Sequence, residues 1–190
     1  MKRTWSVLRA GVDAVRGLHV GAPIVLIDGP AGAGKSTLAD DLVANWPRTG
    51  AGVEPTLVRM DDIYPGWDGL AAGSTFLTTE LLEPLRSSRA AGWRRYDWTT
   101  RHRMQWNRVD PTHPLIVEGC GTLTAANARL ADLRIWLDAD DEVRKARALA
   151  RDHGGFDPFW QMWQEQFERF VAMEDPIARA DLILDGTALR

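Results

Sequence analysis

The chain has 190 residues, of which 45% are hydrophobic and 26% charged, with a formal net charge of −3. That is one ordinary domain with enough length for a real core. Its apolar runs are strand-sized rather than membrane-spanning, and its acidic balance argues against a general nucleic-acid binder. The one cysteine, Cys120, excludes an internal disulfide framework and a cysteine-cluster metal site, so a cytoplasmic location is expected. The basic start Met1-Lys2-Arg3-Thr4-Trp5 is followed by no apolar signal region.

Residues 5–18 place Trp5, Val7, Leu8, Val12, Val15 and Leu18 at helical spacing, which predicts a packing helix ahead of the core. The apolar run 24–28 predicts a buried strand. Directly after it, Gly29-Pro30-Ala31-Gly32-Ala33-Gly34-Lys35-Ser36 satisfies G-x-x-x-x-G-K-[ST], and a helix-compatible run, 37–46, follows. Strand, glycine-rich turn and helix are the context a phosphate-binding loop requires. Its glycines let main-chain N–H groups converge on phosphate oxygens, and the new helix adds its positive end. Gly29, Ala31, Gly32, Ala33, Gly34, Lys35, Ser36 and Thr37 are the expected nucleotide-binding residues. Lys35 is placed to reach the outer phosphates and the Ser36 hydroxyl to bind Mg²⁺. Lysine occurs elsewhere only at 2 and 145, so composition alone would not have supplied Lys35.

Residues 56–60 predict a second strand with Asp61-Asp62 at its end. Residues 64–75 read as a Gly/Pro-rich loop, and 78–89 as a helix opened by Thr79 and Glu80, with Pro84 in its middle. The aromatic and basic stretch 92–108 predicts short strands or a hairpin. Strands at 115–117, 133–137 and 182–184 follow, with helices at 141–152 and 156–173 separated by Gly154-Gly155. Alternating strands and helices after a phosphate-binding loop predict an α/β domain: a three-layer α/β/α P-loop NTPase with a mostly parallel five-stranded sheet. Ligands of such sheets bind beyond the carboxyl ends of the strands, where Asp28, Asp61, Glu118 and Asp138 fall.

Phosphoryl transfer needs charge neutralisation and a group to orient the acceptor hydroxyl. Asp61 is suited to the second task, with a turn-capping role as its structural alternative. Glu118, followed by Gly119, is suited to holding Mg²⁺ directly or through water. Between residues 86 and 108, seven arginines and Trp93, Tyr96, Trp98 and Trp106 accompany one acid, Asp97. Such a segment could stack a base and pair an anion, bind single-stranded nucleic acid, or form a solvated basic face. Phe156, Phe159, Trp160, Trp163, Phe167 and Phe170 lie on one helical face and are expected to be core or lid packing. His19, His113 and His153 have no metal-ligand spacing.

Gly29–Thr37, Met60-Asp61-Asp62-Ile63-Tyr64, Tyr96-Asp97-Trp98 and Ile116-Val117-Glu118-Gly119 resemble the uridine kinase and phosphoribulokinase group of P-loop kinases, as does Leu137-Asp138-Ala139-Asp140 with Arg144, Arg147 and Arg151. The resemblance implies an ATP- and Mg²⁺-dependent kinase spanning 1–190 as one domain, with an acceptor-site insertion near 62–108. It maps the acceptor-orienting carboxylate to Asp61 and a nucleoside-site segment to Tyr96, Asp97 and Trp98. It also implies a small helical lid near 144–160, whose arginines map to Arg147 and Arg151; with Lys35 and Asp61 these form the expected catalytic set. Tyr64, Arg95, Tyr96, Trp98 and His102 are the expected acceptor contacts. The chain departs from that pattern at Arg101-His102, at Gly154-Gly155-Phe156 and in the segment 64–70. A nucleoside is the expected small-molecule acceptor. A nucleoside monophosphate or other metabolite is the alternative within the class, and a regulatory ATPase or a nucleic-acid-end kinase outside it; no membrane partner is expected and the oligomeric state is left open.

Overall fold

A computed structural model describes residues 2–18, 20–47, 53–151 and 154–189. His19, His153 and the Asp152 end of the expected lid helix lie outside these residues. The main sheet is built from β1 (Ile24–Asp28), β2 (Thr56–Arg59), β5 (Leu115–Glu118), β6 (Leu133–Asp138) and β7 (Leu182–Asp185), while β3 (Ala91–Asp97) and β4 (His102–Val109) form a separate antiparallel hairpin. The strand order is β2-β5-β1-β6-β7, and every neighbouring pair is parallel.

β1 and β5 are buried at every position. Strands covered on both faces cannot alternate apolar with polar residues, which is why their sequences read as continuous apolar runs. Val25, Ile27, Ile116 and Ile135 face one layer, where they meet Val12 and Val15 of α1 (Lys2–Arg16) and Leu38 and Leu42 of α2 (Lys35–Ala44). Leu26, Val58, Val117 and Trp136 face the other, against Leu77, Leu81 and the Phe167 and Phe170 rings of α7 (Trp160–Glu174). The three-layer α/β/α expectation holds.

The expected loop over 64–75 is too long. α3 (Leu70–Phe76) begins inside it, and the helical path continues through a π-type turn, Leu77–Leu82, into α4 (Glu83–Arg86). Most of the Gly and Pro residues that suggested a loop lie at or before Gly69, Gly73 sits inside α3, and Leu70, Leu77 and Leu81 are buried, so burial of an apolar stripe decides the helix. Pro84 has no N–H to give the preceding turn, and the wider turn just before it accommodates that loss. The short helices α5 (Ala125–Ala128) and α8 (Pro176–Arg179) have no periodic signal; α5 starts because the Thr124 side chain accepts from the Asn127 N–H.

Parallel register carries the strand ends to one edge: Ile27 and Arg59 both lie opposite Glu118, and Asp28 lies opposite Trp136. α6 (Asp141–Arg151) touches the phosphate-binding loop at this edge, its Arg144 carbonyl lying against Gly32, and β3 of the hairpin packs on the turn that follows β2.

Phe167 stacks on Trp136 with ring centroids 6.0 Å apart, joining α7 to the sheet. Phe167→Ala should lower stability by about 3–5 kcal/mol, read as a drop in the urea midpoint at unchanged m-value; a shift within error would show that this layer is not load-sharing with the sheet.

Candidate active site

The phosphate-binding loop is set by backbone demands. Gly29 (φ +144) and Gly32 (φ +81) adopt conformations that suit glycine, and a Cβ on Gly32 would lie 1.9 Å from the Arg144 carbonyl oxygen of α6. The lid helix therefore touches the loop through main chain, a contact that only glycine allows. Lys35 is buried; its Nζ donates to the carbonyls of Gly29 at 2.7 Å and Pro30 at 2.8 Å. Ala33 is fully buried, so its part in the loop is through its backbone.

Asp28, which closes β1, is also fully buried. Its carboxylate accepts the N–H groups of Gly29 (2.7 Å), Gly121 (3.0 Å) and Leu123 (2.7 Å). Burial pushes this carboxyl up to about 6, against the downward pull of those N–H groups and of Lys35. The sequence placed Asp28 at a strand end, but only the tertiary path of residues 119–123 reveals two of its three partners.

Glu118 lies beside the first turn of α2. Its Oε1 accepts from Ser36 Oγ at 2.9 Å and from Arg59 Nη1 at 3.2 Å, and Arg59 Nη2 reaches Asp40 Oδ1 at 2.6 Å. Burial raises the Glu118 carboxyl above its ordinary range, as does the nearby Asp61 charge, while Lys35, Ser36 and Arg59 oppose the rise. Among the described residues no cluster of three or more His, Cys, Asp or Glu side chains could hold a metal. A hydroxyl and a carboxylate in contact at the loop nevertheless fit Mg²⁺, a hard cation that takes few protein oxygens and completes its shell with phosphates and water. Arg59 is a site residue that sequence reasoning missed. Its signal was a charge in the last position of an otherwise apolar strand.

Beyond the loop, a cleft of about 1520 Å³ runs from Gly32–Thr37 to the hairpin, with room for two ligands. Asp61, in the 3₁₀ turn Met60–Asp62, stands between the two ends with a side chain 58% exposed. Arg151 Nη2 lies 3.6 Å from Asp61 Oδ2, so a lid arginine reaches the expected acceptor carboxylate. Arg95 lines the cleft and pairs with Asp62 at 3.3 Å, and Tyr96 and Trp98 line it too.

The other three expected residues differ in their surroundings. Tyr64 lines the cleft but is only 1% exposed, and its hydroxyl donates to the Cys120 carbonyl at 2.6 Å. It braces the floor instead of offering a free hydroxyl, and burial pushes its phenol well above the ordinary range. His102 does not line the cleft; its Nδ1 sits 2.6 Å from the Thr100 carbonyl in the hairpin turn, whereas Arg101 does line it. Arg147 lines the cleft, but its guanidinium donates to the Gly186 and Thr187 carbonyls at 3.0 and 2.6 Å, which ties the lid to the loop after β7.

Trp67 was also missed. It stacks on Phe156 (5.0 Å, 15°) and Phe159 (4.7 Å, 10°) and contacts Trp98 at 4.6 Å. Phe156, Phe159 and Trp163, expected as packing alone, line the cleft as well. The helical spacing of these rings gave no hint that a loop tryptophan would draw them to the site.

The family model described as Phosphoribulokinase / Uridine kinase family matches residues 68–158. A uridine kinase of Streptococcus agalactiae is 28% identical over 146 residues, covering 68% of this chain and 68% of that protein. Uridine-cytidine kinase A of Dictyostelium discoideum is 28% identical over 148 residues, 68% of this chain but 28% of that protein. A solved structure described as a possible uridine kinase from Bacillus stearothermophilus shares the fold, with TM-score 0.70 at 19% identity over 95% of this chain and 98% of that one. Fold, loop and matches together define a P-loop kinase. Over the matched residues the chain is similar to the uridine kinase and phosphoribulokinase proteins.

Two measurements follow from this geometry. Because the Asp28 carboxyl rises from 3.8 to about 6 on folding, the native state holds its proton longer than the unfolded chain. Its contribution to stability is fully present below the unfolded value and is lost as pH rises through the folded one, a change of about 3 kcal/mol. The stability difference between wild type and Asp28→Asn should therefore shrink between pH 4 and 7 in urea titrations, and a flat difference would contradict the raised carboxyl. Glu118→Gln keeps the shape but removes the charge; half-saturating Mg²⁺ for nucleotide binding should rise about tenfold, and unchanged Mg²⁺ dependence would exclude Glu118 from the metal side.

Proposed function

We propose that this chain is an ATP-dependent kinase that transfers the γ-phosphoryl group to a hydroxyl of a nucleoside, with Mg²⁺. The observation that carries the reading is the place of Asp61, an exposed carboxylate between the phosphate loop and a wall of aromatic rings in one continuous cleft. The uridine kinase relatives point to the same acceptor class.

The mechanism follows from the groups present. Main-chain N–H groups of the loop, with Lys35, bind the donor phosphates and offset the charge that builds on the transferring group. Ser36 and Glu118 would hold Mg²⁺, which supplies further charge neutralisation on the phosphates. Asp61 accepts a hydrogen bond from the acceptor hydroxyl, aligns that oxygen for in-line attack and takes its proton as the new P–O bond forms and the bond to ADP breaks. Arg151 exchanges its Asp61 contact for the transferring group; the ion pair is exposed enough that separating it costs little. Tyr96, Trp98 and Trp67 supply flat apolar surface for a base.

A second reading stays within the kinase class. Arg95 and Arg101 line the acceptor end of the cleft, which favours an acceptor that already carries a phosphate.

A coupled ADP-release assay over nucleosides, nucleoside monophosphates, pantothenate and sugars separates these readings. A nucleoside should give the highest kcat/KM. Asp61→Asn should reduce acceptor-stimulated turnover by about 10²–10⁴-fold while ATP affinity stays within a few-fold. Full activity in that variant would remove Asp61 from the mechanism, and ATP turnover indifferent to every acceptor would favour a regulatory ATPase.

A further inference from the structure

We infer that Trp98 is a positioning residue for Asp61, acting through its indole N–H as well as through its ring. The inference rests on the reading that Asp61 orients the acceptor hydroxyl. Asp61 belongs to a three-residue 3₁₀ turn, Met60–Asp62, a short element with weak internal hydrogen bonding. Its carboxylate is more than half exposed, so where that group points depends on how firmly the turn's backbone is held.

The hairpin holds the turn at two places. Trp98 Nε1 donates to the main-chain carbonyl of Asp61 at 2.8 Å, and Arg95 Nε lies 3.3 Å from Asp62 Oδ1. The first contact is directional and uncharged, so it fixes the peptide plane of Asp61 without competing for its carboxylate. The second is an exposed ion pair and restrains less.

The Trp98 ring is itself wedged. It meets Trp67 at 4.6 Å and the edge of Tyr96 at 5.3 Å, and Trp67 stacks on Phe156 and Phe159 of the lid. A continuous line of rings therefore runs from the lid to the residue whose N–H grips Asp61. The Trp98 hydrogen bond passes the constraint of this line to the acceptor-orienting turn. Misplacing a reacting group by about an ångström can cost two orders of magnitude in rate, so one such bond is enough to matter.

Trp98→Phe tests the inference, because phenylalanine keeps an aromatic ring, though a smaller one, in the wedge and removes the donor. kcat for the preferred acceptor should fall about five- to tenfold, while KM for that acceptor changes less than about twofold and calorimetric ATP affinity is unchanged. Wild-type kcat, or a loss confined to KM, would overturn it, since the ring alone would then account for Trp98. An acceptor-free readout accompanies the kinetics: the Trp98 indole N–H signal, assigned by its disappearance in Trp98→Phe, should exchange slowly with solvent, and rapid exchange would overturn the hydrogen bond directly. An active Trp98→Phe beside an inactive Asp61→Asn defeats this inference alone, whereas an active Asp61→Asn defeats the reading beneath it.

Discussion

The site is organised around one buried carboxylate that never meets a ligand. Asp28 gathers the N–H groups of Gly29, Gly121 and Leu123. It thereby fastens the start of the phosphate loop to the segment leaving β5. The fastening sets β5, which ends at Glu118, and the following Cys120 beside the loop that carries Lys35 and Ser36. A buried carboxylate is costly unless its lone pairs are filled, and three N–H donors fill them. Those amides would otherwise be orphans at strand exits where neither sheet nor helix can satisfy them.

Much of this was legible in the sequence, for reasons that can be named. The buried strands announced themselves as apolar runs because helices cover both faces of a parallel sheet. The loop announced itself because its glycines answer backbone demands that no other residue meets, Gly32 against Arg144 being the sharpest. Asp61 and Glu118 could be chosen because parallel strands deliver their carboxyl ends to one edge. What stayed hidden shares one property: it depends on contacts between segments far apart in the chain. Tyr64 and Arg147 both line the cleft, but the hydrogen bonds that tie them to the Cys120 carbonyl and to the turn after β7 come from distant segments. α3 was hidden for the opposite reason, since local Gly and Pro content outvoted a stripe of leucines that is buried only in the folded chain.

The cleft also has an internal division of labour. Its phosphate end is built from main chain, with glycines, backbone amides and a buried lysine, and is rigid because helix and strand ends define it. Its acceptor end is built from side chains, chiefly rings from three separate segments: Trp67 after β2, Tyr96 and Trp98 on the hairpin, and Phe156 and Phe159 in the lid. Rings that stack across segments hold a shape without fixing the backbone that carries them. That arrangement suits a fixed donor, the same in every turnover, and an acceptor whose arrival must be coupled to closure.

The ion pairs of the cleft follow from the same division. Arg59 with Glu118 and Asp40, Arg95 with Asp62, and Arg151 with Asp61 each set a cation beside a carboxylate at the edge where phosphates bind. The Arg95–Asp62 and Arg151–Asp61 pairs are exposed and contribute little to stability, whereas Arg59 faces the buried Glu118 carboxylate. Their value lies in the charge balance they keep: each arginine stays within reach of the site while its neighbouring acid prevents an unopposed positive field. Under the proposed mechanism an entering polyphosphate gives these arginines a stronger anion to face. Asp61 is then freed to take the acceptor's proton, because Arg151 leaves it for the transferring group.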